Sequence, residues 1–126
     1  MRMYLTVAAS MAIGIVVGGV AVQGLHAQGK KAYTVTENQV LDAKGAAEFA
    51  GRVATAQAAA GGRNFNTGGG KIVAMEGGAA PDRVAITEWE SLEKAEAFFK
   101  SKAWTDLTPD RNKVIKTVRR YAVEQR

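Results

Sequence analysis

Residues Arg83–Trp89 form an alternating segment that must be covered on both sides, and this requirement strongly restricts the fold. In an extended chain, one side carries Val84, Ile86 and Glu88. The other side carries Ala85, Thr87 and Trp89. Strict alternation over this length predicts a β-strand. Because both sides include apolar or aromatic residues, we expect the strand to lie in a sheet whose two faces are both covered.

Two helices are predicted directly after this strand. Ser91 is a good helix N-cap, and an apolar stripe of helical spacing follows it: Leu92, Ala95 and Phe99. Ser101 can cap a short second helix that presents Trp104 and Leu107. Pro109 is disfavoured inside a helix, so we expect a break or a restart at that position.

The first part of the domain is predicted to contain one strand and one long helix. The segment Ala32–Val40 is rich in β-branched and aromatic residues. Its alternation places Tyr33, Val35 and Glu37 on one side of the strand. Asp42 is a good N-cap for a helix over Ala43–Ala60. The glycine pair Gly61–Gly62 would end that helix.

The remaining segments complete the expected sheet. Two extended pieces, Arg63–Thr67 and Lys71–Glu76, are joined by the glycines Gly68–Gly70, and we expect one bent strand or a tight ribbon. The composition of Gly77–Asp82 is typical of a turn. The segment Val118–Val123 alternates again and is predicted to be the last strand.

The order of predicted elements is strand, helix, strand, strand, helix, strand. This order predicts an α+β fold of the ferredoxin-like βαββαβ type, a four-stranded antiparallel sheet with two main helices on one face. The other face also needs cover, because the Arg83–Trp89 strand is apolar on both sides. Two copies packed sheet to sheet around a two-fold axis would provide that cover, so we expect a homodimer.

Residues 1–27 have the composition of a secretory signal peptide. They combine a basic residue, Arg2, an uncharged run over Met3–Val22 and a small residue, Ala27, at a suitable cleavage point. The run is also long enough to span a bilayer, so an uncleaved N-terminal anchor is the alternative. Residues 28–31 then form a linker and residues 32–126 one domain. The expected location is periplasmic or secreted, or attached to the membrane and facing the periplasm.

The domain lacks the residues of several common catalytic and metal sites. The chain has no cysteine, and its single histidine, His26, lies in the N-terminal segment. These facts exclude Ser-His-Asp and Cys-His nucleophile systems and histidine or cysteine ligands for haem, zinc or copper in the domain. The segment Gly68–Lys71 fails as a phosphate-binding loop, because Phe65 and Ile72 stand at positions that the motif reserves for other residues. We expect no metal and no cofactor.

The formal net charge is +5, and the basic residues concentrate near the C-terminus. Basic segments can bind nucleic acid, but the predicted export argues against such a partner. Lysine and arginine also protect exposed strand edges from mispairing. We therefore expect a solvated strand edge here and no nucleic-acid partner.

Several short motifs resemble those of the domain-of-unknown-function 1330 family. The run Val84–Ala95 is similar to that family's pattern of hydrophobic strand, Glu-Phe/Trp-x-Ser and helix, and Gly61–Arg63 matches its Gly-Gly-Arg. The spacing of Ser101, Trp104 and Arg111 is also similar, with tryptophan where tyrosine is commoner. The resemblance covers about residues 32–124. It implies the dimeric α+β barrel fold, related to cofactor-independent monooxygenases and small isomerases, but no particular activity.

Glu88 is the candidate catalytic residue. It lies near the end of an expected central strand, where partial burial would raise its pKa and allow it to act as a general base. The alternative is a structural ion pair at the sheet edge with one of three arginines: Arg63, Arg111 or Arg120.

The candidate ligand-binding residues are Tyr33, Asn64, Asn66, Phe98, Trp104 and Arg111. Asparagine is depleted in strands. The alternating Asn64 and Asn66 would therefore hydrogen-bond a ligand carbonyl or a developing oxyanion between sheet and helices, or else lie on a solvated edge. The aromatic residues would form the walls of a pocket or part of an ordinary core.

Two functions follow from these residues. The first is an exported small-molecule binding or structural module without catalysis. The alternative is a cofactor-independent monooxygenase or isomerase acting on a small aromatic or carbonyl compound. In that case Glu88 would be the base, Asn64 and Asn66 would stabilise the anion, and Trp104 would form a pocket wall.

Overall fold

The fold is built on a four-stranded antiparallel sheet with helices on one face. A computed structural model describes residues 29–126, so the predicted signal peptide or anchor over residues 1–27 lies outside the described residues. The strands are β1 (Ala32–Val40), β2 (Arg63–Asn64), β3 (Arg83–Trp89) and β4 (Ile115–Glu124). The helices are α1 (Ala43–Ala59), α2 (Leu92–Lys100), α3 (Lys102–Thr105) and α4 (Thr108–Val114).

The strand order β2-β3-β1-β4 places β1 and β3 in the centre of the sheet. Strand β1 pairs antiparallel with both β3 and β4, so Val35 stands between Ile86 and Tyr121. The predicted α+β, ferredoxin-like βαββαβ fold is confirmed, and β1 and β3 have the predicted bounds. Within residues 29–126 no helix has both the length and the apolar character needed to cross a membrane.

The predicted N-caps explain where the helices begin. Asp42 Oδ1 accepts a hydrogen bond from the amide of Gly45 at 3.2 Å, and Ser91 Oγ accepts one from the amide of Lys94 at 3.2 Å. Ser101 plays the same part for α3. Each side chain satisfies an amide that the first helical turn leaves without a partner.

The two faces of the sheet differ in character. The face toward the helices, here called the inner face, carries buried polar side chains: Thr34, Thr36, Asn38 and Thr87. The opposite face, here called the outer face, carries mostly apolar ones: Tyr33, Val35, Val84, Ile86, Tyr121 and Val123. Tyr121 and Val123 are 50% and 54% exposed, so residues 29–126 leave part of this apolar face open to solvent.

Aromatic residues dominate the core beneath the helices. Trp89, Ala95, Phe98 and Trp104 form one buried cluster, and Ala46, Phe49 and Ile115 form a second. The ring centres of Trp89 and Phe98 are 5.2 Å apart. Trp89 Nε1 donates a hydrogen bond to Thr34 Oγ1 at 3.0 Å, so the polar inner face satisfies the indole that the core buries.

The segment between β2 and β3 differs from the prediction. Strand β2 has only two residues, and Lys71–Glu76 is irregular rather than a strand. Asn66 adopts a φ of 63°, and the amide of Gly70 donates to the carbonyl of Thr67 at 3.0 Å. The positive φ of Asn66 interrupts the regular ladder, although the chain stays beside β3 as far as Thr67, whose Oγ1 donates to the carbonyl of Val84 at 2.8 Å.

The last strand and the apolar stripe of α2 also differ from the prediction. Strand β4 begins at Ile115 rather than Val118, because the amides of Leu41 and Asp42 both donate to the carbonyl of Val114 and bring this segment against the end of β1. In α2 the buried aromatic residue is Phe98, whereas the predicted stripe used Phe99.

Gly51→Ala is expected to stabilise the protein, whereas Gly45→Ala is expected to destabilise it. Both glycines lie in α1, where alanine is intrinsically favoured over glycine by about 1 kcal/mol. A Cβ at Gly51 would meet nothing within 4 Å, but a Cβ at Gly45 would lie 2.5 Å from Val114 Cγ1. Urea unfolding of the two variants checks the prediction, and shifts of the same sign would contradict this packing.

Candidate ligand-binding cavity

A cavity of about 400 Å³ lies between the inner face of the sheet and α1. Its volume falls within the range of small-molecule sites. On the α1 side it is bordered by small residues: Ala46, Ala47, Ala50, Gly51 and Ala54. Because these side chains are short, the helix covers the sheet without filling the space beneath it.

Arg120 brings a positive charge into the cavity wall. Its Nε donates a hydrogen bond to Thr36 Oγ1 at 2.9 Å. Its guanidinium carbon lies 4.5 Å from the centre of the Phe99 ring and 4.7 Å from that of Trp104, within cation–π range. Burial, with a smaller effect from the charge of Arg111, lowers the pKa of Arg120 to about 10, so the side chain stays protonated at neutral pH.

A β-bulge in β4 determines the direction of this side chain. The register between β1 and β4 shifts by one residue at Val118, which has no partner on β1. Beyond the bulge Arg119 stands opposite Glu37 on the outer face and forms an ion pair with it. Arg120 stands opposite Thr36 and points to the inner face.

Other polar side chains converge on the same space. Asn38 is only 5% exposed, and its Oδ1 has no hydrogen-bond partner within residues 29–126. Arg83 lines the cavity with its guanidinium against Gly68. No aspartate or glutamate is among the described residues that line the cavity.

The structure brings together only some of the predicted ligand-binding residues. Asn64, Asn66 and Trp104 line the cavity. Asn64 Oδ1 already accepts a hydrogen bond from the amide of Asn66 at 2.6 Å, which leaves the side-chain NH₂ of Asn64 to act as a donor at the mouth of the cavity.

The other three predicted ligand-binding residues lie outside the cavity wall. Phe98 is buried in the core cluster. Arg111 lies 5.2 Å from the centre of the Trp104 ring and does not itself line the cavity. Tyr33 is on the outer face, where its ring stacks on that of Phe65 at 6.2 Å.

Glu88 lies on the outer face, on the other side of the sheet from the cavity. Lys31 Nζ donates a hydrogen bond to Glu88 Oε1 at 2.7 Å, and Arg63 Nε lies 3.9 Å from Oε2. The hydrogen bond from Lys31 is the main cause that lowers the pKa of Glu88. The expectation of a raised pKa is therefore wrong, and the alternative of an ion pair with Arg63 is observed together with Lys31.

Sequence reasoning missed Arg120, Thr36 and Asn38 as cavity residues. The basic C-terminal segment predicted a solvated strand edge, and β4 is an edge strand. Alternation within Val118–Val123 separates Arg120 from Tyr121 and Val123, but it does not say which side faces the helices, because that depends on the pairing with β1. The polar alternation of Thr34, Thr36 and Asn38 was visible in the sequence as a signal for one face of β1.

The family model described as domain of unknown function (DUF1330) matches residues 31–125. The chain belongs to this family. The resemblance noted from the motifs is thereby confirmed for the domain. No curated protein matches the chain in sequence. Within residues 29–126 no group of three or more histidine, cysteine, aspartate or glutamate side chains is placed to hold a metal ion.

Solved structures of similar fold include one of unknown function and one of an oxygenase. A protein of unknown function from Rhodopseudomonas palustris has a TM-score of 0.59 at 11% identity, over 84% of this chain and 92% of that chain. SnoaB, a cofactor-independent oxygenase from Streptomyces nogalater, has a TM-score of 0.51 at 15% identity, over 77% and 94%. At such identities the similarity shows the fold alone.

Glu88→Gln is expected to lower stability at neutral pH, with an effect that shrinks in acid. Because its ion pair lowers the pKa of Glu88 in the folded state, the stabilisation is complete above the pKa of the unfolded chain. It is lost as the pH falls through the folded value. Urea midpoints of the variant and the wild type from neutral pH to about pH 3 check this.

The matched control is Glu90→Gln, whose ion pair with Lys94 is exposed and lies within one short segment. We expect this variant to differ little from the wild type at any pH, since exposed pairs contribute little. A Glu88→Gln effect that grew toward acid pH would instead indicate a raised pKa and contradict the ion-pair assignment.

Proposed function

We propose that this protein binds a small organic molecule in the cavity between the inner face of the sheet and α1. The observation that carries the proposal is the wall of this cavity, in which apolar side chains lie beside the polar side chains of Thr36, Asn38 and Arg120. The cavity has a volume of about 400 Å³, which is within the range of small-molecule sites.

The composition of the cavity wall also supports binding. Small-molecule sites are mostly apolar, with a few polar groups that orient the ligand. The apolar part of this wall comes from the helices and the end of the sheet: Phe49, Val53, Phe99, Trp104 and Ile115. The polar part is concentrated on the sheet and on the loop after β2, so the two parts face each other.

Catalysis has less support than binding. The alternative function, a cofactor-independent monooxygenase or isomerase, requires Glu88 as the general base. That carboxylate is ion-paired on the outer face. A general base has to reach the proton that it accepts, directly or through one water. The similarity to the oxygenase from Streptomyces nogalater supports a shared fold and adds no residue to the cavity.

Ala50→Phe is expected to abolish binding, because the new ring would occupy the cavity that Ala50 borders. Ala58→Phe is the matched control, since Ala58 is an exposed residue of the same helix. Native mass spectrometry of protein from its own host would detect a co-purified ligand. Ligand-observed NMR with neutral and anionic one- and two-ring aromatic fragments would measure binding directly.

Binding that persists in Ala50→Phe, with both variants folded by circular dichroism, would place the ligand elsewhere and contradict the proposal. Absence of both a co-purified ligand and any fragment binding in the wild type would also contradict it.

We also propose that the functional unit is a homodimer in which two outer faces pack against each other. The supporting observation is the exposed apolar surface of that face, including Tyr121 and Val123. Exposed apolar patches of this kind mark interaction sites. The ion pairs of Glu37 and Glu88 border the patch and would help to orient the second copy.

Ile86→Glu is expected to convert a dimer into single chains. Ile86 is central on the outer face and pairs with Val35, so a charge there would be buried without a partner in the dimer. Val73→Glu is the matched control, because Val73 is 62% exposed in the loop outside the sheet. Sedimentation at micromolar concentration checks both variants, and a wild-type mass of one chain would contradict the dimer.

Export of the domain across a membrane remains the proposal for its location. It is supported by the composition of residues 1–27. The intact mass of protein purified from its own host tests it. A chain that begins near residue 28 indicates cleavage, whereas a chain that still begins at Met1 and fractionates with membranes indicates the anchor. A full-length chain in the cytosolic fraction would contradict export.

A further inference from the structure

We infer that the ligand of the cavity is an organic anion with an apolar body, and that Arg120 is the group that binds its acid function. The inference rests on the proposed binding function and specifies the chemical class of the ligand. It starts from the partners of the Arg120 guanidinium within residues 29–126.

The guanidinium is held in place but not neutralised. Arginine has five N–H donors, and the contact of Nε with Thr36 uses one of them. The rings of Phe99 and Trp104 lie against the guanidinium and accept no conventional hydrogen bond. Among the described residues no carboxylate forms an ion pair with Arg120. The two terminal nitrogens therefore have no hydrogen-bond partner among the described residues, and the Arg120 side chain lines the cavity.

A partly buried charge without a counter-ion is unusual in a folded protein. Taking a charge out of water is costly unless a partner compensates it. The planar guanidinium fits a carboxylate through two parallel hydrogen bonds. A carboxylate or an enolate of the ligand would supply the missing partner.

The electrostatics of the surrounding wall favour the same class of ligand. Arg83 adds a second guanidinium to the cavity wall, and Arg111 is close enough to lower the pKa of Arg120. No acidic side chain of the described residues lines the cavity to offset these charges. The charged side chains of the described wall, Arg83 and Arg120, are therefore both positive, which favours anions.

The rest of the wall specifies the body of the ligand. The part of the wall that α1 supplies is formed by alanines with Phe49 and Val53, which suits an apolar skeleton. Together with the positive charge of Arg120, these features describe an aromatic or alicyclic acid.

A purely structural role for Arg120 makes a different prediction from an anchor role. If the cation–π contacts served only to hold the core together, replacing Arg120 would destabilise the fold by the loss of those contacts. If Arg120 is an anchor, its uncompensated charge is a cost in the free protein. Arg120→Met keeps an unbranched side chain against Phe99 and Trp104 and removes that cost.

The experiment measures dissociation constants by NMR titration for matched acids and amides, namely 2-naphthoate with 2-naphthamide and 3-hydroxy-2-naphthoate with its amide. We expect each acid to bind the wild type at least about tenfold more tightly than its amide, as for one charge-assisted hydrogen bond. Arg120→Met and Arg120→Gln should remove this preference, and Arg120→Lys should retain part of it. The melting temperature of the ligand-free Arg120→Met variant should be unchanged or higher.

Lys116→Gln is the matched control, because it removes one exposed positive charge from the same strand. It should leave the preference for acids unchanged. Equal binding of acids and amides by the wild type would overturn this inference and leave the proposed binding function standing. Failure of both classes to bind at millimolar concentration would overturn the two proposals together. A preference for acids that survives in Arg120→Met would overturn the assignment of Arg120.

Discussion

The rest of the structure depends on the alternation of side chains along β1. This central strand pairs with β3 on one edge and with β4 on the other. The side chain of each of its residues therefore points to a fixed face of the sheet. The strand turns Thr34, Thr36 and Asn38 toward the helices and apolar residues toward the outside. In a half-covered antiparallel sheet the covered side is usually apolar. Here the covered side is mixed, because Ala32, Trp89 and Ile115 are buried in the core, whereas Thr36 and Asn38 border the cavity.

Helix α1 fits this arrangement because of its small residues. A helix with large apolar side chains on the cavity side would close the space above Thr36 and Asn38. Instead, alanine and glycine form most of the α1 wall, beside Phe49 and Val53, and the packed contacts are concentrated at Phe49 and in the aromatic cluster around Trp89. The domain thus combines a packed region around the aromatic cluster with a cavity under α1.

The sequence was sufficient to predict the strands β1 and β3, the helix caps and the order of the elements. These features depend on local chemistry: alternation in the strands and side-chain acceptors at Asp42, Ser91 and Ser101. The segment Lys71–Glu76 was misassigned because its strand-like composition gave no information about the turn at Asn66. The prediction put Phe99 on the apolar stripe of α2, whereas Phe98 is the buried residue. The two are adjacent in the helix, and only tertiary packing determines which of them faces the core.

The candidate site was less predictable than the fold. Asn64, Asn66 and Trp104 were candidates by their type and position, with a solvated edge as the alternative for the asparagines; all three line the cavity, and both asparagines are exposed. Glu88 belongs to a different face, and its partner Lys31 lies in a segment that looked like a linker. Arg120 required knowledge of long-range pairing, since its environment comes from β1, α2 and α3.

The bulge at Val118 makes the pairing register of β4 decide which arginine reaches the cavity. Arg119 and Arg120 are chemically the same, and because they are adjacent they lie on opposite faces of the sheet. If Val118 paired with Glu37 in regular alternation, Arg119 would turn to the inner face and Arg120 to the outer face. Register, and not residue type, therefore determines which of the two arginines has an ion pair and which lies beside Thr36.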